Sequence, residues 1–284
     1  MAAVDARLAT EIDMAGSQTG GADLLTVAGM AAVIYCLSVL MHEGAGHGGA
    51  CLAVGARPQA WGAFYFDCDT HLGPPWKWRA VAAAGNTVNL IIAAVAGLVL
   101  RGVSLDRSTT RLALTLVIAV NLFTWAGYFL FSGLTGIGDW GDQEQAVLWR
   151  VEPGFAWRSG MFAFGLAAYV WSMRLTGRLF GTIFGGARES RREARRVAAT
   201  AYLTGSFLSL LIGLLNPVGL FITLASAAAS SFGGTAGFWS APGFMPLDGS
   251  MPTPRVERSW PWIMAGVVVA GAYAAVLGPS IKLG

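Results

Sequence analysis

The stretch Met41-His42-Glu43-Gly44-Ala45-Gly46-His47 sets two imidazoles and a carboxylate inside an otherwise apolar run. Ionisable groups are costly to hold in such surroundings, so their presence points to function. Neutral imidazole nitrogens are good zinc ligands, and a hydrolytic zinc site combines three protein ligands with one open position for water. A carboxylate beside the ion can take the proton of the attacking water. In the usual HExxH arrangement the two histidines are four residues apart and share one helix face. Here they are five apart, which leaves them roughly 140° apart around a regular α-helix. The spacing therefore predicts a local distortion. A π-helical turn takes in one extra residue and would return both rings to one face, and Gly44 and Gly46 make it sterically accessible.

The elements that position these residues follow from composition. Of 284 residues, 55% are apolar and 12% charged, and the mean hydropathy is +0.56. A soluble domain carries about a quarter charged residues, so the class is an all-α integral membrane protein. The 11 Trp and 38 Gly agree, since aromatics gather at headgroup level and Gly is common in spanning helices. A net charge of +3 with one clustered basic run gives a nucleic-acid role no support. About six spanning helices are expected, near residues 24–54, 80–100, 112–131, 155–173, 198–227 and 262–281. Asn216-Pro217 predicts a kink in the fifth.

Residues 1–23 read as a polar tail without a signal peptide, so the first spanning helix serves for insertion. Alternating aromatics between residues 58 and 76, closed by Gly73-Pro74-Pro75, predict a short β-hairpin between the first two helices. Residues 226–254 read as a long Ser/Gly/Pro-rich loop. Cys36, Cys51 and Cys68 fit neither a disulfide framework nor a CxxC zinc site, and read as core residues. The run Arg188 to Arg196 reads as a basic loop able to meet anionic lipid headgroups.

With the second helix, the first motif resembles the site-2 protease family of intramembrane zinc metalloproteases. In that family a first core helix carries HExxH, a second carries Gly-Pro-x-x-Asn, and a third supplies an Asp ligand. Here Gly85-Asn86-Thr87-Val88-Asn89 keeps the Gly and the final Asn, with Asn86 replacing Pro. The resemblance covers residues 24–140 as a three-helix core, and leaves 141–284 as three further helices. It implies a Zn2+ cofactor, Glu43 as general base and Asn89 as a holder of the substrate backbone. Two places compete for the third ligand. Chain order favours Asp139 in Gly138-Asp139-Trp140, whereas Leu247-Asp248-Gly249 looks more like the family's Leu-Asp-Gly text; His71 in the hairpin is a further candidate.

The implied activity is cleavage of membrane-spanning substrates, whose unwound segment could pair with the hairpin edge. The alternatives are a metal-binding membrane scaffold without catalysis and, with weaker support, a transporter. Counting Lys and Arg by loop parity puts both termini in the cytoplasm and His42 nearer the outer face, while the resemblance implies a cytoplasmic zinc. Heavy use of Ala, Gly and Arg suits a bacterial cell membrane.

Overall fold

A computed structural model describes residues 21–70, 73–220, 223–249 and 255–284; the polar tail up to residue 20 and His71 lie outside them. Helix α1 (Leu24–Leu40) runs into a π-helix, π1 (Met41–Gly48), and ends in α2 (Gly49–Ala53). A hairpin of β1 (Arg57–Gly62) and β2 (Tyr65–Asp69) follows. Then come α3 (Pro75–Arg101), α4 (Ser108–Thr135), α5 (Gly154–Phe184) and α6 (Arg188–Gly213). A second π-helix, π2 (Thr223–Gly233), leads to the short α7 (Gly237–Ser240) and a 3-10 turn (Ala241–Phe244). The chain closes with α8 (Trp260–Leu277) and β3 (Ile281–Lys282).

Among the described residues, five helical segments are long and apolar enough to cross a membrane: Leu24–Ala53, α3, α4, α6 and α8. The expected fourth spanning helix differs. Residues 155–173 do form part of a helix, but α5 continues to Phe184 and carries Arg158, Arg174 and Arg178, and it is not among the five. The expected fifth helix is also shifted. It starts at Arg188 and stops at Gly213, so Asn216-Pro217 lies beyond its end rather than kinking it. Proline disfavours helical geometry in the residue before it, and Asn216 Oδ1 accepts from Val218 N at 2.9 Å in a local turn. The Arg188–Arg196 run is therefore the opening of a helix rather than a loop. Its arginines at 188, 192, 195 and 196 are exposed. Residues 226–244 hold helical turns in place of the expected loop.

Asp23 caps α1, accepting from Thr26 N at 2.9 Å, and pairs with Arg258 at 3.0 Å just before α8. The beginnings of the first and last apolar helices are thus tied together. At their other ends, Ala63 N donates to Leu277 O and Tyr273 donates to Ala63 O, fastening the hairpin tip to α8. The terminal strand β3 pairs antiparallel with β1, giving the sheet order β2-β1-β3. Lys282 consequently sits at the hairpin end of the helices, opposite Asp23. The described chain thus begins and ends at opposite ends of the helices, in place of the expected shared side.

The expected unpaired status of two cysteines is also corrected. Cys51 in α2 and Cys68 in β2 form a disulfide, and only Cys36 is a free buried thiol. Seventeen residues separate the pair in sequence, and only the hairpin's return over α2 makes them neighbours.

Candidate metal centre

The centre starts from π1, where five residues make about one turn. His42 and His47 therefore come to one face, with their Nε2 atoms 3.2 Å apart and their ring centroids 4.9 Å apart. The glycines in this stretch are required by close neighbours. A Cβ on Gly46 would stand 2.5 Å from the Cα of Gly85 in α3, and one on Gly44 would stand 2.5 Å from the Trp61 ring of β1. Helix α3 and the hairpin thus press directly on the distorted turn.

The third group is Asp139, whose Oδ2 lies 3.4 Å from Nε2 of each histidine. It reaches them because α4 ends in a left-handed turn at Gly136 (φ 76°), with a second positive φ at Gly138 (89°). Glycine takes that geometry without the penalty of a Cβ. Arg158 of α5 donates to Leu134 O at 2.8 Å and pairs with Asp142 at 3.4 Å, while Arg79 of α3 donates to Val147 O and Trp149 O. Loop 136–153 is held over the histidines from both sides. Asp248, the competing candidate, lies instead beside Gly186 in the turn between α5 and α6. Among the described residues, the one cluster able to hold a metal ion is His42, His47 and Asp139.

Hydrogen-bond polarity decides what these three atoms present to each other. His47 Nδ1 is 2.7 Å from Val81 O, and a carbonyl can only accept, so that nitrogen carries the proton. His42 Nδ1 is 2.6 Å from Asn89 Oδ1 and donates in the same way. Each neutral ring then turns a bare Nε2 lone pair to the centre. Burial works to raise the Asp139 carboxyl, but positive charge on the His47 and His42 imidazoles, when they are protonated, holds it well below the usual carboxylate range. Its buried Oδ2 has no hydrogen-bond partner. When both rings are neutral, three electron-pair donors face one another across the centre, which a shared cation relieves. Their separations also fit one. Ligands bonded at about 2.0–2.1 Å around a tetrahedral ion stand about 3.3–3.4 Å apart, against 3.2, 3.4 and 3.4 Å here.

Glu43 is buried and, with His47 and Asp139, lines a cavity of about 740 Å³. The cavity's walls include Tyr65 to Cys68 of the edge strand β2, the α4 residues Tyr128 and Phe131, and Ser230 of π2. Tyr128 stacks on the His42 ring at 5.0 Å between centroids. Asn89, the expected holder of the substrate backbone, lies behind His42. Both ends of its amide are engaged, Oδ1 by His42 and Nδ2 by Asn121 Oδ1 at 2.9 Å. It orients the His42 ring. Asn121, Tyr128 and the carbonyl of Val81 belong to no motif in the sequence. Of these, a wholly buried Asn in an apolar helix carried a usable signal, because such a group needs a partner.

No protein-family model, curated protein or solved structure matches this chain.

Proposed function

We propose that this chain is a multi-pass integral membrane protein that hydrolyses peptide bonds of membrane-spanning substrates at a zinc ion held by His42, His47 and Asp139. The observation that carries the reading is the convergence of two imidazole nitrogens and a carboxylate oxygen at tetrahedral spacing, beside a buried carboxylate that is not one of them. Two imidazoles and one carboxylate suit zinc in a hydrolytic site. A bound ion of this kind supplies Lewis acidity to a carbonyl and acidifies water. The chain's own residues do the rest. Glu43 takes the proton of the attacking water and returns it to the leaving amine. The cavity keeps bulk water away from the unwound segment. Strand β2 is the outer strand of the sheet, and its line from Tyr65 to Cys68 borders the cavity, so a substrate segment can pair with it through backbone hydrogen bonds.

The test is metal analysis of the purified protein together with cleavage of a model single-span substrate. One zinc per chain is expected, lost in His47→Ala, with cleavage stopped by a zinc chelator. Protein without metal, or cleavage indifferent to the chelator, overturns the reading. Zinc retained with no cleavage of any single-span substrate favours a metal-binding scaffold instead.

Orientation follows from two independent features. Arg101, Arg107, Arg111, the exposed arginines of α6, Arg255 and Arg258 all lie at the Asp23 end of the helices. That end suits the cytoplasmic face and its anionic headgroups. The metal centre and the Cys51–Cys68 disulfide lie at the other end, which suits an oxidising compartment outside a bacterial cell membrane. Alkaline phosphatase fused after Gly284 is expected to be active, since it needs export to fold. An inactive phosphatase with a fluorescent GFP fusion at the same position would reverse the orientation.

A further inference from the structure

Asn121 of α4 makes no contact with the three donor atoms, yet the direction of every hydrogen bond behind His42 depends on it. Its Nδ2 donates to Val117 O at 2.9 Å and to Ser38 Oγ at 3.0 Å. A backbone carbonyl only accepts and a serine hydroxyl does either, so Val117 alone determines which end of the Asn121 amide is nitrogen. The Oδ1 of Asn121 must then face Asn89, which turns the Asn89 nitrogen toward Asn121 and its Oδ1 toward His42. The His42 ring is left with its proton on Nδ1. If Asn121 were reversed, its nitrogen would lose the carbonyl and two oxygens would meet at Val117. Both asparagines are fully buried, with 0% exposure, so bulk water offers no other arrangement.

We propose that Asn121 is a positioning residue of the metal centre: through Asn89 it passes the fixed polarity of the Val117 carbonyl to His42 and keeps the Nε2 lone pair turned to the ion. The proposal rests on the metal-centre reading above and adds residues that touch neither ion nor substrate. Ser38 closes the relay from α1, so three helices hold the one ring. An imidazole held this way pays no tautomer change on binding metal.

The experiment uses the full chain in detergent micelles. Zinc affinity is measured by competition with a chromogenic chelator, and the ring nitrogens by 15N NMR of histidine-labelled, metal-free protein, where only three histidines contribute. Asn121→Leu is expected to weaken zinc by roughly 10- to 100-fold and to remove the protonated Nδ1 signal of His42. Thr115→Val, at a fully buried hydroxyl on the same helix with no hydrogen-bond partner, is expected to change neither. Wild-type zinc affinity in Asn121→Leu overturns the proposal. Should that variant fail to fold, the unsubstituted protein decides by itself: an unprotonated Nδ1 on His42 overturns the relay and a protonated one supports it. Failure of the metal-centre reading is seen separately, as an unsubstituted protein that takes up no zinc whatever its Nδ1 signal.

Discussion

Glu43→Gln is expected to leave one zinc per chain in place and to lower cleavage of a single-span substrate by roughly 10²- to 10⁴-fold, the usual contribution of a general base. The amide has the shape of the carboxylate and can still hydrogen-bond, but it cannot accept a proton from water. Glu43 is buried at the cavity wall beside two of the three donor residues, and it is not part of the metal-holding cluster. Its loss should therefore separate chemistry from metal binding. The measurement pairs substrate cleavage with metal content on the same preparation. Undiminished cleavage would remove Glu43 from the mechanism. Simultaneous loss of zinc would make it a ligand, and the three-donor description of the centre would have to be redrawn.

The second large effect comes from one methyl group. Gly85 lies in α3 directly against the centre: a Cβ there would stand 2.5 Å from His47 Nε2 and 2.6 Å from His42 Nε2. Those are the atoms proposed to hold the ion, and carbon cannot sit so close to either. Backing the helices apart is not open, because Gly46 of π1 already meets the Gly85 backbone with no room for a Cβ of its own. Overpacking of this kind costs about 1–3 kcal/mol, which as affinity is about a fivefold to more than a hundredfold loss. Gly85→Ala should thus weaken zinc by that factor and reduce cleavage at fixed zinc in proportion, while Gly97→Ala, with nothing within 4 Å on the same helix, should do neither. The comparison is a zinc titration of both variants. Native affinity in Gly85→Ala would mean that the imidazoles do not turn their Nε2 atoms toward α3.

Gly85 also shows how the site was only partly legible beforehand. The resemblance picked out Gly85 and Asn89 by pattern, but assigned Asn89 to the substrate. A pattern records which residue stands where and not which way its amide faces, and that direction depends on Val117 and Asn121 some thirty residues later. Asp139 was favoured over Asp248 by counting helix crossings, and the structure brings Asp139 to the histidines. Hydropathy sets α5 apart from the five apolar helices, although it runs from the Asp142 end to the Arg188 end of the molecule. The terminal strand β3, only two residues long, is specified by its partner β1 and not by any local signal.

By itself the sequence determined the features set by near neighbours along the chain. Apolar length made the helices, alternating aromatics made the hairpin, and the five-residue histidine spacing among glycines called for a wider turn. The tertiary structure alone decided the features that depend on distance through space. It joined Cys51 to Cys68, linked Ser38 to His42 by way of Asn121 and Asn89, and set the free lone pairs of two rings and a carboxylate against one another. Spacing along a helix acts within one turn, whereas a hydrogen bond's direction is settled only when the last group in its network meets a partner that can do nothing but accept.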